Sequence, residues 1–322
     1  MKRFTVLAAG LLLWAGAAHA AEKWNMPTAY GNANYHTQNA RLFAKAVGVC
    51  TGGKLEIVVH GGGSLIKGGE IKRAVQNGKA PIGERLLSAH QNENAVFGFD
   101  SVPLLATSFE ASEKLWRATK GRLTKILAAQ NLVLLYSVPW PPQGMYFKRA
   151  IGGVSDMRGI KFRAYNAATA RFAELAGMPS VHIELAELEP ALASGKVEAY
   201  ISSSATGYEL KQWKHVSHFY DTQAWLPRNY VFANKRAFEA LDAHAQNCLR
   251  SSALLAEAAG TARARELTGF YLEQLAAGGM SVEKPGKQLA ADLEKIGEIM
   301  SAEWTKAAGA EGAAIINAFR GK

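Results

Sequence analysis

Hydrophobic positions along this 322-residue chain follow two alternating rhythms. Short runs dense in branched and aromatic residues, the mark of strands, are separated by stretches whose apolar positions recur at helical spacing. KLEIVVH (54–60) reads as a strand, and GGEIKRAVQNGK contains a helix that stops near Gly78. APIGERLLSA holds the next strand. In SFEASEKLWRATKGRLTKILAAQ, Leu115, Ala118, Leu123 and Leu127 mark one helical face, with Ser108 as N-cap. LVLLYSV (132–138) is a buried strand, and Pro-Trp-Pro-Pro at 139–142 interrupts regular structure.

The alternation then resumes. Strand GIKFRAY, helix AATARFAELAG, a strand near VHIE, helix ELEPALASG and strand VEAYIS follow in order. A further strand opens YVFANKRAFEALDAHAQNCLRSSALLAEAA, and long helices carry the chain to its end. Strands separated by helices of about ten residues predict βαβ units on mostly parallel sheets. About 300 residues exceed what one core usually supports, so the expected fold class is α/β in two lobes with crossovers between them.

The first twenty residues stand outside this pattern. Lys2 and Arg3 precede the apolar VLAAGLLLWAGAA, and Ala18-His19-Ala20 puts small residues where a signal peptidase reads them. A cleaved export signal over 1–20 is expected, with the mature chain starting at Ala21. No later apolar run reaches the roughly 18 residues of a membrane span.

At 48% hydrophobic and 20% charged residues, the composition is that of an ordinary folded protein. The formal charge is +10, or +8 once the leader cations Lys2 and Arg3 are gone. Lys and Arg are interspersed with Asp and Glu, without an arginine-rich or aromatic-basic module, so nucleic acid is not an expected partner. Small anionic solutes suit the bias better. Export permits a disulfide between Cys50 and Cys248. Sequence alone leaves that bridge and a pair of buried thiols equally open.

Most chemical motifs fail on spacing. His215-x-x-His218-x-x-Asp221 lacks a third histidine or an HExxH, and reads as a solvated helix end. No metal site and no cofactor is expected. HGGGSLIKGG lacks the Lys-Ser/Thr ending of a phosphate loop and reads as a turn between strand and helix. Ser202-Ser203-Ser204 follows a strand without the Gly-x-Ser-x-Gly of a nucleophile elbow, so its hydroxyls are expected to line a pocket or cap a helix. A serine hydrolase using Ser203 stays as the alternative to a binding protein, which would make and break no bond.

Arg163 differs. It sits where a strand ends and a helix begins, capped by Asn166. Open α/β sheets place ligands at such strand ends, and a planar guanidinium matches a carboxylate with two parallel hydrogen bonds. A desolvated arginine needs an anion. Local pattern leaves a ligand carboxylate and an internal salt bridge evenly matched.

GIKFRAYNAATARFAELAG, preceded by VSDMRG and followed by ELEPALASGKVEAYISS, resembles the solute-binding proteins of tripartite ATP-independent periplasmic (TRAP) transporters. FAKAVGVCTGGKLEIVVHGGGSLIKGGEIKRAVQNGKAPIGE and YDTQAWLPRNYVFANKRAFEALD extend the likeness along the mature chain. The resemblance implies a periplasmic two-lobe clamshell with a long helix along both lobes. One lobe would hold 21–140 with 229–268, the other 141–228 with 269–322. It implies capture of a small organic carboxylate and delivery to an ion-gradient-driven membrane permease, with a sensor role for a membrane kinase sharing the same fold. Monomer is the default.

The family's arginine lies in a Gly-x-Lys-x-Arg motif, which Gly159-Ile160-Lys161-Phe162-Arg163 matches, so the resemblance assigns Arg163 the carboxylate. Asn166 matches an asparagine beside that clamp, and Ser202 falls near a polar position of the second lobe. Gln143 falls where sugar-acid binders carry a second arginine, and one cation fewer favours a monocarboxylate. From chemistry alone, Trp140 and Trp225 either sandwich an apolar ligand body or serve as core or hinge tryptophans, and Glu84 and Tyr30 are hydrogen-bonding candidates.

Overall fold

The computed structural model describes residues 21–321, where the two rhythms become two sheet-centred lobes; the expected export signal lies outside them. In the first lobe, β1 (Glu22–Pro27) pairs in parallel with β2 (Leu55–His60) across α1 (Tyr35–Cys50). Next come α2 (Ile71–Gln76), β3 (Ile82–Leu86), α3 (Phe109–Ala129) and β4 (Leu132–Pro139). The Ala111 N–H donates to the Ser108 side chain at 3.1 Å, which starts α3 as expected.

The Pro-Trp-Pro-Pro segment carries the chain into the second lobe. There β5 (Gln143–Phe147), β6 (Phe162–Ala164), α4 (Ala167–Leu175), β7 (Ser180–His182), α5 (Leu188–Ala193), β8 (Ala199–Ser203), α6 (Ser204–Glu209) and β9 (His218–Tyr220) follow. β10 (Arg228–Asn234) returns to the first lobe and lies between β3 and β4. After α7 (Lys235–Ala240) and α8 (Ala243–Ala277), β11 (Ser281–Glu283) rejoins the second sheet, ordered β11-β9-β5-β8-β6-β7, and α9 (Lys287–Arg320) ends the fold.

The expectation of mostly parallel sheets holds only in part. β1–β2, β8–β6–β7 and β9–β11 are parallel, but β10 is antiparallel to both its neighbours and so is β5. The reason is topological. Each of these strands follows a crossover from the other lobe, so its direction is not set by a local βαβ turn. The expected helix end at His215, His218 and Asp221 is also corrected, because His218 lies in β9 and the three residues share no helical face.

α8 is the spine that joins the lobes. At its first-lobe end the Asn39 amide donates to the Ala256 carbonyl at 3.1 Å, and Gly260 lets the helix press onto β4. A Cβ at Gly260 would lie 2.6 Å from a Val138 methyl. Towards its other end, Leu275 packs against Gly207 of α6. No helix among the described residues is long and apolar enough to cross a membrane.

Cys50 and Cys248 are bridged, which settles the alternative left open above. The bond ties the end of α1 to the start of α8 across 198 residues, with the Cα atoms 5.6 Å apart. Closing so long a loop removes entropy mainly from the unfolded chain. Cys50→Ser/Cys248→Ser is therefore expected to lower the free energy of unfolding by about 3–5 kcal/mol, measured by urea titration.

Candidate functional site

A cavity of about 340 Å³ lies between the lobes, at the strand ends. Its polar floor is built on β6. Arg163, only 3% exposed, donates Nε–H to the Ile183 carbonyl at 2.8 Å, which fixes the plane of the guanidinium. The cation lies 5.1 Å from the centre of the Tyr165 ring. Among the described residues no carboxylate pairs with Arg163, and its terminal nitrogens make no hydrogen bond. Burial lowers its pKa to about 10, so it remains charged at neutral pH.

A second guanidinium lines the cavity, and this one is paired. Arg85 on β3 donates to both oxygens of Glu184, at 2.8 and 3.1 Å. Burial raises the Glu184 carboxyl, but His182 at 3.7 Å and the Arg85 fork more than offset it and hold the group well below the usual carboxylate range. Exposed Lys67 and Glu187 cancel at the rim. The cavity therefore presents one uncompensated positive charge, that of Arg163.

The facing wall is aromatic. Tyr30 and Trp140 meet edge to face with ring centres 4.9 Å apart. Both donate to one acceptor, the Asn229 side-chain oxygen, from the Tyr30 hydroxyl at 3.2 Å and the Trp140 indole at 3.0 Å. Glu84 accepts from the other end of that amide at 3.1 Å and so fixes which way it points. Across the cavity, the Trp225 indole donates to the Tyr165 hydroxyl at 3.1 Å, and Tyr165 donates to Gln143 at 3.3 Å. Ser202 and Thr206 contribute hydroxyls 2.9 Å apart.

Of the residues singled out from sequence, Arg163, Gln143, Trp140, Ser202 and Tyr30 line the cavity, and Asn166, Glu84 and Trp225 do not. Asn166 is committed elsewhere. Its oxygen caps α4 at Thr169 N (2.8 Å), and its amide donates to Ser88 and Ser101 of the first lobe. Trp225 supports Tyr165 from behind.

Glu84 is displaced by strand period. β3 runs through Glu84 to Leu86, and alternation along it turns Arg85 to the cavity and Glu84 inward, against the expectation that Glu84 meets a ligand. The same period of two carries Tyr165 beside Arg163. No local signal marks Glu184, Thr206 or Asn229, which reach the site through tertiary contact. Ser203 caps α6 through Thr206 N at 3.4 Å, and no histidine among the described residues hydrogen-bonds it.

The profile of the family described as bacterial extracellular solute-binding protein, family 7, matches residues 28–308. The chain belongs to this family. A TRAP solute-binding protein from a marine metagenome, specific for pyroglutamate and crystallised with it, is 50% identical. The match covers 94% of this chain and 99% of that one, with a TM-score of 0.93. DctP6 of Bordetella pertussis, an extracytoplasmic solute receptor binding pyroglutamic acid, is 46% identical over 93% of this chain and 100% of its own (TM-score 0.91). A monocarboxylate 2-oxoacid-binding periplasmic protein of Nostoc sp. strain PCC 7120 is 24% identical over 282 residues, 85% of this chain and 77% of that protein. The two-lobe fold expected from sequence is that of these solved relatives.

Burial raises the Glu84 carboxyl from 4.5 to about 7, against the downward pull of its Asn229 hydrogen bond. The folded form then holds a proton that the unfolded chain releases between those values, so stability falls as pH rises through that window. Asp100, raised to about 6, and Glu209, raised to about 7, act in the same direction, burial being the main cause for each. Burial lowers the His36 and His90 imidazoles, which acts in the opposite direction below about pH 6.5, so the Glu84 contribution shows as a difference between two proteins. Glu84→Gln is expected to gain in melting temperature relative to the parent as pH rises from about 5 to about 8. Differential scanning calorimetry of both proteins across pH measures the gain.

Proposed function

We propose that this protein binds a small cyclic monocarboxylate of the pyroglutamate type in the interlobe cavity, with Arg163 holding its carboxylate. The observation that carries the reading is the buried Arg163 charge, unpaired in a cavity whose other charges cancel. A monoanion completes the balance. Relatives that are 50% and 46% identical over nearly the whole chain bind pyroglutamate, which supports the choice of solute. Its ring suits the wall of Tyr30 and Trp140, and its lactam N–H and C=O need neutral partners of the kind Gln143, Ser202 and Thr206 supply.

On this reading the leader is removed on export, and the periplasmic, monomeric protein hands its solute to the membrane subunits of a TRAP permease. No bond is made or broken. Arg163 makes and keeps contact with the carboxylate, the hydroxyls and amides orient the ring, and the aromatic wall excludes water.

Titration calorimetry on protein stripped of co-purified solute by unfolding and refolding tests the assignment. One site for L-pyroglutamate is expected, and Arg163→Ala is expected to weaken binding by about 100-fold or more, as for a lost buried charge pair. The same substitution should leave the solute-free protein as stable as before or more so, because it removes a desolvated, unpaired charge. Unchanged affinity in Arg163→Ala, or no binding by the parent protein, overturns the assignment.

A further inference from the structure

The cavity wall holds two guanidiniums in opposite states. Arg163 has no anion among the described residues, while Arg85, 4% exposed, is closed off by the bidentate contact with Glu184. The two partners come from different lobes: Arg85 lies on β3 and Glu184 follows β7. The Glu184 side chain is one-third exposed, so the pair borders the cavity and is not part of the interior.

We infer that Glu184 sets the charge selectivity of the site, by holding at Arg85 the place that a second ligand carboxylate would otherwise take. The inference rests on the reading of the cavity as a carboxylate site. A dicarboxylate must either leave its second charge without a cation or displace Glu184 from Arg85. Displacement puts two carboxylates side by side in a partly desolvated place, where like charges repel strongly. A monoanion meets neither obstacle, since the Arg85/Glu184 pair offers it hydrogen bonds without net charge. Selectivity of this kind is a penalty on the wrong solute more than a reward for the right one.

Replacing Glu184 with glutamine keeps an acceptor for Arg85 but removes the counter-charge, which leaves two cations in the wall. Calorimetric titrations of the parent protein, Glu184→Gln and Arg85→Met/Glu184→Gln would use L-pyroglutamate beside succinate, glutarate and 2-oxoglutarate, dicarboxylates of graded length. The parent is expected to prefer the monocarboxylate. Glu184→Gln should shrink the ratio of affinities by about tenfold or more through a gain for at least one dicarboxylate, and the double variant should restore the preference.

A folded Glu184→Gln protein with an unchanged ratio overturns the inference. So does an equal loss of affinity for both classes, because a contact that merely latches the lobes lowers both together. A parent that binds no pyroglutamate while Glu184→Gln gains a dicarboxylate refutes the assigned solute and supports the role of Glu184. The ratio is read within each variant, so a simple loss of stability does not imitate the effect.

Discussion

A permanent charge held nearly out of water is the constraint around which this molecule is arranged. Arg163 gives up hydration and receives little in return from the protein: one carbonyl on Nε and the face of Tyr165. Both contacts fix its direction more than they neutralise it. A guanidinium cannot escape by losing its proton at working pH, as a buried lysine can, or as a buried carboxylate does by gaining one. On the proposed reading the remaining stabilisation comes from a solute anion in the cavity, and geometry fixed in advance lowers the entropic cost of receiving it.

The aromatic wall depends on a different economy of polar groups. One side-chain oxygen, that of Asn229, satisfies both Tyr30 and Trp140, and Glu84 holds the amide so that its oxygen faces them. If the amide turned over, two N–H groups would face the indole N–H, which has no acceptor to offer. Glu84 thereby does its work through Asn229, at the expense of a buried carboxyl with a raised pKa. The residues that shape the cavity are in this way tied to groups that make the folded state less stable at alkaline pH, a coupling common where a site asks for buried polarity.

Legibility from sequence followed the range of the interaction. Elements with strong local signals, such as the Ser108-capped α3, the strand at 54–60 and the helix after Arg163, stand where their patterns placed them. Strand direction did not follow, because β5 and β10 inherit theirs from crossovers that no local spacing records. Within the site, local pattern shows Arg163 as a charge at a strand end, but not that it lacks an internal partner. Glu84 and Arg85 show how fine the margin is: they are neighbours on β3, and the one-residue step of strand alternation decides which of them meets the cavity. Glu184 and Asn229 carried no pattern at all, since each acquires its role from a partner 99 or more residues away.

The contacts across the cleft bear on what drives closure. Asn166 donates to Ser88 and Ser101, Arg85 to Glu184, and Asn34 to both oxygens of Glu209, so polar groups carry much of the grip between lobes. Each of these groups finds water when the cleft opens, so their net preference for the closed form is small compared with their gross strength. α8 spans both lobes, pressing on Val138 of β4 at Gly260 and on Gly207 of α6 at Leu275. On the proposed reading, a solute that supplies an anion to Arg163 and touches both walls would shift the equilibrium towards the closed form by its differential affinity for it. The same arginine would then both recognise the solute and bias the lobes towards closure, since the polar contacts between them favour neither state strongly.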